Sequence, residues 1–173
     1  MRENSVLILD MDGTIADTYN YPDWVGIVRG HVPAPYTQCG EVDPQEVYHL
    51  FTHVAPMVDA DVLEKFCNQW PETVIYSMTP WDATPEVEEA TVKAKLEWLH
   101  LHYPFLLRNV VITKYKREKN HLQDNMVLYK RLCGELGQSW KPSTRDVLVD
   151  DDDKLRWHFI GRSMEPPWVQ IWK

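Results

Sequence analysis

Apolar and polar positions along this chain follow two rhythms. Short runs of largely apolar or β-branched residues fall at Val6-Leu7-Ile8-Leu9, Thr73-Val74-Ile75-Tyr76-Ser77, Asn109-Val110-Val111-Ile112-Thr113 and Asp146-Val147-Leu148-Val149. Runs of this length with no polar residue breaking them predict strands covered on both faces, as in a parallel sheet. Helical spacing occupies the intervals. Asp43-Pro44-Gln45-Glu46 reads as a helix start, with Asp43 as cap, Pro44 in the first turn and Glu46 reaching back. Val47, Leu50, Phe51 and Val54 then recur on one face, and a second short helix over Asp59–Gln69 turns Val62, Leu63 and Phe66 inward.

Thr84-Pro85-Glu86 opens the clearest helix, whose expected inward face is Val87, Ala90, Ala94, Trp98 and Leu101. A further helix is predicted from Asp124 to Leu136, with Tyr129, Leu132, Cys133 and Leu136 on one face and Gly137 as its stop. A short helix and a last strand, Trp168–Trp172, close the chain. The stretch from Ile15 to Asp43 is broken by Pro22, Pro33, Pro35, Gly26, Gly30 and Gly40, which predicts loops with one short helix around Trp24–Val28. Strands alternating with helices predict an α/β fold, its sheet mainly parallel and flanked by helices, with right-handed connections.

Composition narrows the picture. With 173 residues, 44% of them apolar and 25% charged, the chain is expected to form one globular domain over 1–173. A net charge of −8 argues against general affinity for nucleic acid or anionic membranes. Cys39, Cys67 and Cys133 are odd in number and form no CxxC pair, so reduced thiols and a cytoplasmic setting are expected. The N-terminal apolar run is too short for a signal peptide or membrane span, so no membrane partner is expected. The tryptophans at 98, 157, 168 and 172 are expected to pack in or against the core, whereas Trp24, Tyr36 and Trp81 fall nearer the candidate site. The histidines show no HxH or HExxH spacing, and none is assigned to metal.

The chemistry sits where strands end. The first buried run passes directly into Asp10-Met11-Asp12-Gly13-Thr14. Carboxylates at the end of a buried strand are costly without a cation or donors. The second run ends at Ser77, and the fourth runs into Asp150-Asp151-Asp152-Asp153. A basic stretch, Lys114, Lys116, Arg117 and Lys119, follows the third. In a parallel sheet all these ends lie on one edge, where ligands bind. Several carboxylates there call for a hard cation such as Mg²⁺, and a hydroxyl and a lysine beside it suit phosphoryl oxygens. Each feature also has a plainer account, as a turn residue at Ser77 or a solvated acidic or basic loop at 150–153 and 114–119.

DMDGT at 10–14, Ser77 at a strand end, a lysine before a helix and LVDD at 148–151 resemble, in order, the four motifs of the haloacid dehalogenase-like superfamily. The resemblance covers essentially the whole chain. It is similar to small phage and bacterial 5′-nucleotidase-like members, through Thr84-Pro85-Glu86 and Ala94-Lys95-Leu96-Glu97-Trp98-Leu99. It is also similar to the phosphatase half of phage polynucleotide kinase–phosphatases, through Asp150-Asp151, Lys154, Trp157 and Val169-Gln170. The resemblance implies a Rossmann-like fold with a small helical cap inserted after the first strand, about residues 18–60.

It further implies Asp10 as nucleophile, Asp12 as general acid and base, Ser77 and Lys119 as phosphoryl-binding groups, and Gly13, Thr14 and Thr79 as substrate contacts. Mg²⁺ would be held by Asp10, the Asp12 backbone carbonyl and Asp151, with Asp150 orienting the lysine. Asp152 or Asp153 could replace a member of that acidic pair, and Lys130 competes with Lys119. The implied activity is Mg²⁺-dependent phosphomonoester hydrolysis on small-molecule nucleotides. The gaps of 62 residues between Thr14 and Ser77 and 41 between Ser77 and Lys119 leave no room for a large lid. The alternatives are a 3′-phosphatase acting on nucleic acid ends and a non-catalytic binding protein of the same fold.

Overall fold

The computed structural model describes residues 5–29, 41–80, 83–113, 145–159 and 161–169. Five strands, β1 (Val6–Leu9), β2 (Glu72–Met78), β3 (Val110–Thr113), β4 (Val147–Val149) and β5 (Arg162–Met164), form one sheet in the order β3-β2-β1-β4-β5. Every pairing is parallel, with Leu9 opposite both Ile75 of β2 and Val149 of β4. The predicted α/β architecture is thus the observed one. From β1 the chain builds outward to β2 and β3, then returns to place β4 on the other side of β1. The carboxyl ends of β1 and β4 therefore flank a topological switch point, the place where open α/β sheets leave a crevice.

Single-residue alternation divides the strand side chains between two cores. Leu7, Leu9, Ile75, Val147 and Val149 join one core, and Ile8, Val74, Tyr76, Val111 and Leu148 join the other. The first core is covered by α2 (Pro44–His53), α3 (Ala60–Cys67) and α4 (Pro85–His102). The helix α1 (Trp24–Arg29) packs against α2, and α5 (Asp153–His158) precedes β5, Leu155 reaching the second core. Asp43 caps α2 by accepting from the Gln45 backbone N–H, and Thr84 caps α4 by accepting from that of Val87. Two long donors fasten α4 to the segment joining α2 and α3: the Trp98 indole gives its N–H to Val54 O (2.8 Å) and the Tyr103 hydroxyl bonds Val58 O (2.6 Å).

Several expected inward positions are corrected. The buried stripe of α4 is Val87, Thr91, Ala94, Lys95, Trp98 and Leu99, whereas Leu101 is 71% exposed and Ala90 half-buried. The helix is flanked by β2 and α2, so its covered face is displaced from the purely apolar one and takes in a lysine. On α3, Leu63 and Cys67 face inward while Val62 is exposed, and Phe66 is half-buried between Trp70 and Trp168. Trp157, expected against the core, is 89% exposed on α5. Among the described residues the last strand is Arg162–Met164, since Asp146 O and Val149 engage the segment just after α5; of the strand expected at Trp168–Trp172, residues 170–172 lie outside the described residues. Trp168 lies in a turn. Cys67 is buried with a free thiol, while Cys39 and Cys133 lie outside the described residues, as do Tyr36, Trp81, Trp172 and the helix expected at 124–136. Among the described residues no helix is long and apolar enough to cross a membrane.

Candidate active site at the carboxyl edge of the sheet

The first strand delivers its acids into a tight turn. Asp10 continues β1, its N–H bonded to Val149 O at 3.0 Å, and Met11 O then accepts from the backbone N–H groups of Thr14, Ile15 and Ala16. Gly13 takes φ of +77°, where an L side chain is strained. Space forbids one as well, since a Cβ there would lie 2.4 Å from Asp151 Oδ2 and 2.5 Å from the Tyr19 ring. Glycine at this point lets the β1 turn approach the acidic run after β4.

That approach brings three carboxylates together. Asp10, Asp150 and Asp151 each offer an oxygen, and these oxygens all lie within 4.8 Å of one another. Thr14 Oγ1 donates to Asp10 Oδ2 at 3.0 Å and also lies 3.4 Å from Asp151 Oδ1. Asp150 is buried and accepts the Asp152 backbone N–H at 2.8 Å. Burial first, then the carboxylates of Asp150, Asp12 and Asp151, hold the Asp10 carboxyl well above the usual carboxylate range, against the opposing Thr14 hydrogen bond. Burial likewise pushes Asp150 up to about 8, despite the hydrogen bond from Asp152. Asp151, at the rim, is also raised, again chiefly by burial. Crowded acids with raised proton affinity are what desolvation and like charge produce. A set of hard carboxylate oxygens within mutual reach fits an oxygen-preferring divalent cation.

Asp12 points elsewhere. Its Oδ1 accepts from Thr18 Oγ1 at 2.7 Å, and its Oδ2 pairs with Lys95 Nζ at 2.7 Å. Lys95, fully buried, also donates to Ser77 Oγ at 2.8 Å and to Met78 O at 3.0 Å. Ser77 is buried near the end of β2, and Thr79 is buried just beyond it. Tyr19 stands over the Gly13 turn, edge-on to Trp24 with ring centroids 4.9 Å apart. Its hydroxyl is pushed up, by burial first and then by the four surrounding carboxylates.

Asp10, Asp12, Gly13, Thr14, Ser77, Asp150 and Asp151 thus gather at one edge of the sheet. Lys119, Lys130 and the basic run at 114–119 lie outside the described residues. Sequence reasoning missed Lys95, and Thr18 with it. Lys95 stands four residues after Thr91 and four before Leu99, inside a covered stripe of α4 that differs from the apolar face its periodicity predicts. A scan against known protein-family models finds no match for this chain, and a search of the curated proteins finds none.

Proposed function

We propose that this chain is a Mg²⁺-dependent phosphomonoesterase that removes phosphate from nucleotides through an aspartyl-phosphate on Asp10. The observation that supports it is the meeting of Asp10, Asp150 and Asp151 within reach of one ion, beside Asp12 and Ser77. Asp10, Asp151 and the Asp12 backbone carbonyl, with Asp150 beside them, would hold the ion, which would supply charge against the phosphoryl dianion that otherwise repels the attacking carboxylate. In the first step an Asp10 oxygen bonds to phosphorus as the ester P–O bond breaks, and Asp12 gives its proton to the departing alkoxide. In the second, water adds its oxygen to phosphorus, passes a proton to Asp12, and releases phosphate from Asp10. Ser77 donates to the phosphoryl oxygens, with Gly13, Thr14 and Thr79 adjoining and Lys119 supplying positive charge.

Hydrolysis of nucleoside monophosphates by the wild type in Mg²⁺, abolished by chelator and lowered at least about 10³-fold in Asp10→Asn, is the expected result. Equal inertness of both proteins over a broad panel of phosphate esters overturns the reading. The basic run at 114–119 favours a second reading, a 3′-phosphatase of nucleic acid ends, against the net charge of −8. A 3′-phosphorylated oligonucleotide would then be the preferred substrate, with binding that weakens steeply as salt rises.

A further inference from the structure

Lys95 has no donor to spare. An ammonium carries three N–H groups, and here they meet Asp12 Oδ2, Ser77 Oγ and Met78 O at 2.7, 2.8 and 3.0 Å. The Phe51 ring of α2 also flanks the ammonium, its centroid 4.5 Å away. The side chain is completely buried. A lysine so placed cannot reach out to a substrate phosphate without abandoning its partners.

What it does reach are two groups at the site. Asp12 is gripped at both oxygens, by Lys95 from α4 and by Thr18 from the turn that follows β1. Ser77 Oγ accepts from Lys95, which leaves the serine's own hydrogen to donate elsewhere. We propose that Lys95 is a positioning residue, which acts on the reaction only by fixing the Asp12 carboxyl. This rests on the phosphatase reading, in which Asp12 protonates the leaving oxygen.

A group that works through the proton donor reveals itself by leaving group. An alkoxide must be protonated as it departs, whereas p-nitrophenolate leaves without help. The test compares kcat/KM, which reports the transfer to Asp10, for a nucleoside 5′-monophosphate and for p-nitrophenyl phosphate in Mg²⁺. The proteins are wild type, Lys95→Met, Asp12→Asn and the double variant. Lys95→Met is expected to lower kcat/KM for the nucleotide about 10²-fold or more, and for p-nitrophenyl phosphate at least about tenfold less. In the Asp12→Asn background the same change should cost the nucleotide reaction almost nothing further. Equal losses on both esters, or an undiminished loss without Asp12, overturn the proposal. Should Lys95→Met lack a cooperative melt, Thr18→Val releases the other Asp12 oxygen and carries the same comparison, again overturned by equal losses. A wild type that turns over neither ester overturns the phosphatase reading itself, and this proposal with it.

Discussion

The indole N–H of Trp168 donates to the backbone carbonyl of Thr14 at 2.7 Å, across 154 positions of sequence. Thr14 in turn gives its hydroxyl to Asp10. The end of the described chain therefore braces the turn that carries the candidate nucleophile, and the Trp168 ring is itself seated edge-on to Phe66 at 5.3 Å. Trp168→Phe keeps the aromatic packing and deletes the donor. The expected cost is about 1–2 kcal/mol of unfolding free energy, read from denaturant midpoints, together with a several-fold fall in the proposed phosphatase activity. An unchanged midpoint would show that water replaces the indole without loss.

The acidic cluster ties stability to pH and, on the proposed reading, to metal. With Asp150 held up to about 8 against an ordinary value of 3.8, the metal-free fold prefers the neutral acid. A group with a raised pKa contributes stability that is complete below its unfolded value and lost as pH climbs through its folded one. The metal-free protein should therefore melt lower at about pH 8.5 than at about pH 5.5. On the proposed reading Mg²⁺ at a hundredfold excess over its Kd would add about 2.7 kcal/mol, and its effect should be greater at the higher pH, where protons no longer compete for the same oxygens. Asp10→Asn should raise the metal-free melting temperature and remove most of the Mg²⁺ increment. Melting curves with chelator and with Mg²⁺ at the two pH values check all three.

Gly13→Ala probes how closely the two halves of the site approach. A methyl group would collide with Asp151 Oδ2 and with Tyr19, on a backbone already at φ +77°. The expected cost is about 1–3 kcal/mol, with weaker Mg²⁺ binding because Asp151 must retreat. Calorimetric titration with Mg²⁺ measures the second effect directly.

Trp98 and Leu101 lie three residues apart on α4 yet should behave oppositely. Trp98 is 1% exposed and bonded to Val54 O, so Trp98→Ala should cost about 3–5 kcal/mol. Leu101 is 71% exposed, and Leu101→Ala should stay within about 0.5 kcal/mol. Urea denaturation of the two variants distinguishes the covered face of the helix from the face that periodicity alone would choose.

The acidic residues at the candidate site were legible from type and position. Asp10 and Asp12 follow an apolar run, Asp150 and Asp151 follow another, and one geometric rule of parallel sheets places both pairs on the same edge. Lys95 was not legible in that way. A lysine on a helix is ordinarily solvated, and only the position of α4 beside Asp12 and Ser77 turns this one inward. The outward turn of Trp157 and the pairing of Arg162–Met164 with β4 are decisions of the same kind.

Local rules acting on neighbouring residues determined the four strands read as buried runs, the caps at Asp43 and Thr84, and the break in regular structure after Thr14. These depend on backbone conformation and on a few adjacent side chains, which the order of residues specifies directly. Tertiary structure alone decided which face of α4 is covered, which oxygens of Asp12 are occupied, and how near Asp151 comes to Gly13. Those outcomes depend on distances between segments far apart in the chain, and such distances follow from the packing of the whole sheet and its helices.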